Sequence, residues 1–232
     1  MSLYAERETK SSSGVQSGQR CGPGGAERGG FVSLLPIFPL DVVLFPGVPL
    51  PLHIFEPRYK EMIGECRAQQ SPFGVVRAFE QGIAEVGCTA EIVTITKEYD
   101  DGRLDLIAQG RNRFEVLELN QERAFLRAEV LLLPDEPGPA DPEDSARVIE
   151  AHKQIMTLAG AVQDLSASDP ATLSFHLAGS LPLDLDLKQK LLAMRSEAER
   201  IRTLATYFET ILPNLHRAAR AREKSRGNGH AH

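Results

Sequence analysis

The run FVSLLPIFPLDVVLFPGVPLPLHIFEPRYKEM, residues 31–62, is rich in Val, Leu, Ile and Phe, yet Pro36, Pro39, Pro46, Pro49, Pro51 and Pro57 interrupt it. Proline has no backbone N–H to give to a ladder, so none of these sites suits the middle of a fully paired strand. The apolar side chains still demand burial. Together the two demands call for short strands, with prolines at strand ends, edges and turns. Pro46-Gly47 suits the centre of a type II turn, where proline presets φ and glycine accepts a positive one. Pro57 suits the first position of a helix. Tyr59, Met62, Ile63 and Cys66 follow on one helical face as an apolar stripe. Glu56, at that helix start, favours the positive end of the dipole, and Arg58 is expected to pair with an acid elsewhere.

The next stretch keeps a period of two. FGVVRAF (73–79) reads as a short strand. EIVTITKEY and RLDLIAQG alternate on either side of Asp101-Gly102, a strong hairpin pattern. RFEVLEL and AFLRAEVLLL form a second hairpin around NQER. Short strands with one helix over residues 31–134 predict a small closed or nearly closed β-barrel.

Residues 135–144, rich in Pro and acid, read as a linker. Beyond them the period becomes 3.6. Asp141-Pro142 opens a helix with Val148, His152, Ile155, Met156, Ala159 and Val162 as its buried stripe. Asp169-Pro170 opens a second helix, ending near Gly179. Asp186 is expected to cap a third, carrying Leu187, Leu191 and Leu192. Ser196 with Glu199 forms a capping box for a long last helix. Its apolar face is Ile201, Leu204, Ala205, Phe208 and Leu212, and Pro213 is expected to kink or break it. Residues 145–222 are thus an α-helical subdomain. Residues 1–30, rich in Gly and Ser, and residues 223–232 read as disordered tails. His230 and His232 belong to the second.

Composition narrows the function. The formal charge of −6 and a pI near 5.6 argue against nucleic acid or acidic membrane as partner. Cys21, Cys66 and Cys88 are odd in number and widely spaced, which favours reduced thiols and a cytoplasmic location. No apolar run approaches the ~18–20 residues that span a bilayer, and the N-terminus carries no apolar signal segment.

The motifs of catalysis are missing. No glycine precedes a lysine, which removes the P-loop pattern; G-x-S-x-G and H-E-x-x-H are absent as well. His53 and Glu56 form a lone pair without a third metal ligand. Ser174 and His176 are neighbours on a helix whose side chains diverge, so they form no triad. His152 and His176 read as packing residues. Asp100, Asp101 and Asp105 read as turn formers and a solvated strand face. Residues 217–226 hold Arg217, Arg220, Arg222, Lys224 and Arg226 against Glu223, a local charge of +4. A cationic helix end of this kind also satisfies the dipole by itself. No catalytic residue, metal ligand or cofactor is therefore assigned.

Four ordered segments carry a resemblance. LPIFPLDVVLFPGVPLPLHIFEPRYKEMI (35–63), VGCTAEI (86–92), LIAQGRNRFEV (106–116) and SDPATLSFHLAGSLPLDLDLKQKLL (168–192) resemble the N-terminal substrate-binding domain of Lon proteases. That domain also occurs in cereblon and in stand-alone bacterial proteins. The likeness spans roughly residues 32–218. Its structural motif falls on Gly47, Glu56, Pro57, Arg58, Gly87 and Gly110. It implies an α+β fold: a PUA-like β-barrel with one inserted helix, then a helical subdomain ending in a long helix. It also implies a chain without the ATPase and Ser-Lys peptidase modules of full Lon proteases.

By the same resemblance, the expected function is non-catalytic protein binding, with unfolded or degron-bearing segments as ligands. An apolar groove or an open sheet edge would take them. Phe45, Pro46, Phe55 and Tyr59 are the candidate groove residues, since aromatic rings and proline offer rigid contact area. The alternatives are an RNA-binding PUA-like protein, disfavoured by the acidic balance and the absence of Trp, and a small-molecule site in the barrel.

Overall fold

The computed structural model describes residues 31–161 and 169–227. The expected tail over 1–30, Val162, His230 and His232 lie outside them. Among the described residues the chain forms seven strands and five helices. The sheet half comprises β1 (Phe31–Leu40), β2 (Pro49–Ile54), α1 (Pro57–Gln69), β3 (Phe73–Phe79), β4 (Gly82–Ile83), β5 (Val86–Glu98), β6 (Leu104–Asn120) and β7 (Arg127–Leu132). The helical half comprises α2 (Pro142–Leu158), α3 (Leu173–Gly179), α4 (Leu185–Ala193) and α5 (Glu197–Gly227).

The strands hydrogen-bond in the order β1-β7-β6-β5-β3-β4, and β1 also pairs with β3 in parallel, so the ladder returns to its first strand. The prolines fall where such a ladder tolerates them. β1 pairs with β7 up to Pro36 and with β3 from Ile37 onward. At Pro36 and Pro39 one side of the strand is therefore unpaired, and the missing donor costs nothing. Pro49 and Pro51 lie on β2, an edge strand that pairs with β6.

One element differs from expectation. The two predicted hairpin arms RLDLIAQG and RFEVLEL are a single strand, the 17-residue β6. It changes neighbours along its length, from β2 and β5 at its start to β5 and β7 at its end. A strand that serves three partners needs no break between them. The β5–β6 turn forms as read: Gly102 has φ +79° and its N–H donates to Tyr99 O at 2.8 Å.

Capping sets the helices. Pro57 opens α1, and its buried residues are the predicted four, Tyr59, Met62, Ile63 and Cys66. Asp141 caps α2, accepting from Glu143 N at 2.8 Å. Of its expected stripe, Val148, His152 and Ile155 are buried, while Ala159 lies exposed past the helix end. Two expected starts shift. Asp169 bonds Ala171 N at 2.9 Å and holds a turn, and α3 begins only at Leu173. Asp184, not Asp186, caps α4, accepting from Asp186 N at 2.8 Å. Its backbone is extended as a cap requires, which frees the Asp186 carboxylate to meet Arg77 Nη1 at 2.5 Å. Nor does Pro213 break α5, which runs on to Gly227 and takes in residues 223–227. Pro213 faces solvent, so the carbonyl that loses its partner there is not stranded in the core.

Two apolar clusters divide the interior. Leu35, Ile37, Val76, Phe114, Ala128 and Val130 come from four strands alone. The larger cluster joins Phe38, Phe73 and Val75 of the sheet to α1, and continues without a gap into Phe175, Leu191, Ile201, Leu204 and Phe208 of the helical half. Val75 and Val76 thus bury opposite faces of one strand.

Candidate functional site

The turn Phe45-Pro46-Gly47-Val48 joins sheet to helices. Val48 N donates to Phe45 O at 3.2 Å, and Gly47 has φ +77°. Gly47 N donates to Gly110 O, and Gly110 N to Val48 O, at 2.9 and 3.1 Å. A Cβ on Gly110 would stand 2.1 Å from the Phe45 carbonyl oxygen, so only glycine lets β6 pass the turn. Gly87 is likewise crowded, its Cβ position lying 2.6 Å from Phe114. From the other side α3 lies on the turn. Phe45 stacks on Phe175 at 5.3 Å between ring centroids, and His176 packs against Gly47.

Behind Phe175 lies a buried ionic network. Arg200, fully buried, donates to both oxygens of Asp135 (2.9 and 2.7 Å), to Glu197 Oε2 (2.7 Å), to Ser174 Oγ (2.8 Å) and to Met194 O (2.8 Å). Its guanidinium lies 4.1 Å from the Phe175 ring centroid. Arg113 of β6 donates to Leu192 O, Met194 O and Asp135. Burial pushes the Glu197 carboxyl up, against the opposing pull of Ser174 and Arg200. The charges balance in pairs, as buried charges must. Three separate segments, β6, the connection at Asp135 and α5, are locked together.

The four candidate groove residues therefore do not share one surface. Phe45 and Tyr59 are core residues. Pro46 borders a hollow of about 230 Å³ beside Arg113, Asp135 and Phe175. Phe55 is 57% exposed, at the corner between β2 and α1, stacked on His53. Glu56 precedes α1 without capping it through its side chain, and accepts instead from Arg58 Nε at 2.9 Å.

The apolar groove lies elsewhere. Past Phe208 the α5 stripe continues through Ile211, Leu215 and Ala218. With Tyr207 these residues face Ile155 and Leu158 of α2 across a cleft of about 300 Å³ floored by Leu181 and Leu183. Leu181 and Leu183 are buried, whereas Tyr207, Ile211 and Leu215 are half-buried. In the sequence the signal for this groove is the spacing of Ile211, Leu215 and Ala218 on either side of Pro213. The break expected at Pro213 hides that continuity.

Groups that bear chemistry are committed elsewhere. His53 pairs with Asp105, not Glu56. Hydrogen bonds from His53 and Tyr99 hold the Asp105 carboxyl below its usual range. Asp101 accepts from Arg103 Nε at 2.7 Å. Ser174 donates to Glu197 at 2.6 Å, while His176 turns away to the Gly47 turn. His152 pairs with Ser180 at 2.7 Å. Burial pushes the Cys88 thiol up to about 12, far from a reactive thiolate. Arg217 and Arg220 are exposed on the last turns of α5, and Arg222 borders the groove. Among the described residues no group of three metal-binding side chains occurs, and no helix is long and apolar enough to cross a membrane.

Known proteins bear on this architecture. The model of the ATP-dependent protease La (LON) substrate-binding domain matches residues 34–208. The Lon protease of Parabacteroides distasonis is 33% identical over 62% of this chain, and that of Anaeromyxobacter dehalogenans 30% over 69%. These stretches cover 18% and 21% of the two relatives, so the chain spans about a fifth of their length. The crystal structure of a Lon N-terminal domain protein from Xanthomonas campestris aligns with 76% of this chain and 99% of its own, at a TM-score of 0.63 and 27% identity. The N-terminal domain of Mycobacterium avium complex Lon protease shares the fold at a TM-score of 0.58 and 20% identity. With the sheet, the helical half and three quarters of its length accounted for in this way, the chain belongs to the family of Lon substrate-binding domains.

Proposed function

We propose that this chain is a non-catalytic module that takes up apolar segments of unfolded or degron-bearing proteins in the groove between α2 and α5. The observation that carries this is the half-exposed stripe Tyr207, Ile211 and Leu215 over a buried leucine floor. Family membership supports it, since the matching model is a substrate-binding domain. In this reading residues 31–134 and 145–222 work as one body, the first bracing the second through Arg113, and no peptidase step belongs to the chain. The unpaired thiols of Cys66 and Cys88 suit a cytoplasmic setting.

The test is a titration of a reduced, alkylated unfolded protein followed by fluorescence anisotropy. Burying one leucine contributes about 1.5–3 kcal/mol, so Leu215→Glu should weaken binding roughly tenfold or more. Phe55→Ser, on the opposite half, should leave it unchanged. If Phe55→Ser abolishes binding and Leu215→Glu does not, the contact lies at the β2–α1 corner and the groove assignment fails.

A further inference from the structure

Two open edges of the sheet, on β2 and on β5, differ. β2 pairs with β6 alone, and Pro49 and Pro51 lie in it. Ladder residues alternate in direction, so the two prolines share a side, and that side must be the free one. The outer edge of β2 is thus short of two donors. β5 is the reverse. β3 pairs with it only at Cys88–Ala90, which leaves Glu91–Glu98 bonded on one side, to β6. No proline occurs in β5.

A groove of about 350 Å³ lies between Glu91–Ile95 and the end of α1 at Arg67 and Gln70. Val93, at a register shift, is 56% exposed. The charges around this groove are already matched: Arg67 meets Glu98, and Arg111 meets Glu91, each at 2.8 Å. An uncharged occupant leaves both pairs intact, whereas a charged one competes with them. Register shifts on both sides of Thr94 keep the flat run short.

We propose that the Glu91–Ile95 edge of β5 takes up a short, uncharged, extended segment of a client protein as an added strand. This rests on the protein-binding reading above and adds a second mode to it. Main-chain pairing is indifferent to side-chain order, whereas the α2–α5 groove selects apolar side chains.

The probe is a fluorescent neutral heptapeptide of Thr and Val, with two N-methylated versions whose methyl groups fall on alternate residues in opposite phase. Only alternate amides face an edge strand. Against the full chain, one phase should bind about tenfold more weakly and the other normally. Val93→Lys, an exposed position, should also lose about tenfold, because lysine blunts strand edges. Its melting temperature should not change, and Leu215→Glu should keep the peptide. Equal binding of both methylated phases, or unchanged affinity in Val93→Lys, overturns the edge proposal. Loss of the peptide in Leu215→Glu alone overturns it too, while the groove reading stands. Light scattering that finds the chain dimeric and Val93→Lys monomeric places a second copy on the edge and overturns the client segment as occupant.

Discussion

The two halves of α5 are built from similar residues and used differently. From Glu197 to Phe208 the helix is sunk in the molecule, with Arg200, Ile201, Leu204 and Phe208 all at 0% exposure. From Glu209 onward the same apolar spacing continues, but Ile211, Leu212 and Leu215 are only half-covered. The first half meets α2, α3 and the Asp135 connection, and its buried charges, Glu197 and Arg200, are both bonded. The second half meets little beyond α2 and the Leu181–Leu183 corner. One periodic pattern therefore serves as core and as presented surface, and only the neighbours decide which.

Substitutions can break that contrast. The largest effect is expected for Arg200→Ala, which strands Glu197 without its cation and leaves Asp135 with Arg113 alone. Breaking a buried pair in this way costs about 3–5 kcal/mol, read as a lower urea midpoint with an unchanged slope. A loss below about 1 kcal/mol would show that the ionic network does not hold the first half in place. Gly47→Val comes next. A β-branched residue at φ +77°, with His176 Cε1 only 3.0 Å from the new Cβ, should destabilise by about 2 kcal/mol. An unchanged melting temperature would disprove the docking of α3 on this turn.

A smaller effect should appear with acid. Burial depresses the His152 pKa from its ordinary 6.5, so the folded chain holds the neutral ring while the unfolded chain takes a proton. Stability is then intact above about pH 6.5 and falls as the pH drops below it. Thermal melts across pH 5–8 should show this slope, and His152→Gln should flatten it. The smallest stability effect belongs to the second half of α5. Leu215→Glu should stay within about 0.5 kcal/mol of the parent while losing the unfolded client. A large stability loss there would mean that the groove is core, and that the two halves are alike after all.

Local patterns carried much of this structure and long-range partners did not. The α1 stripe and the strand FGVVRAF could be read because period and proline punctuation are written within one turn or one strand. Asp169 and Asp186 each precede a plausible helix, but nearby Thr172 and Asp184 take the cap positions. The ionic network was out of reach: Arg113, Asp135 and Arg200 lie on separate segments and meet only after folding. Yet Glu197 and Arg200 sit at the spacing of the apolar face they share with Ile201 and Leu204. A charge in that place signals burial with a partner. Two of the candidate groove residues show the same thing in reverse: Phe45 and Tyr59 are apolar residues whose neighbours cover them.

The prolines of β2 have a further consequence. A sheet with two competent edges can join head to tail, the edge of one molecule to the opposite edge of the next, and such contacts need not close. Here the β2 side lacks the donors to continue the ladder. Growth is stopped after one step, as a chain terminator stops a polymer. An edge without donors keeps the sheet from becoming the seed of a fibre.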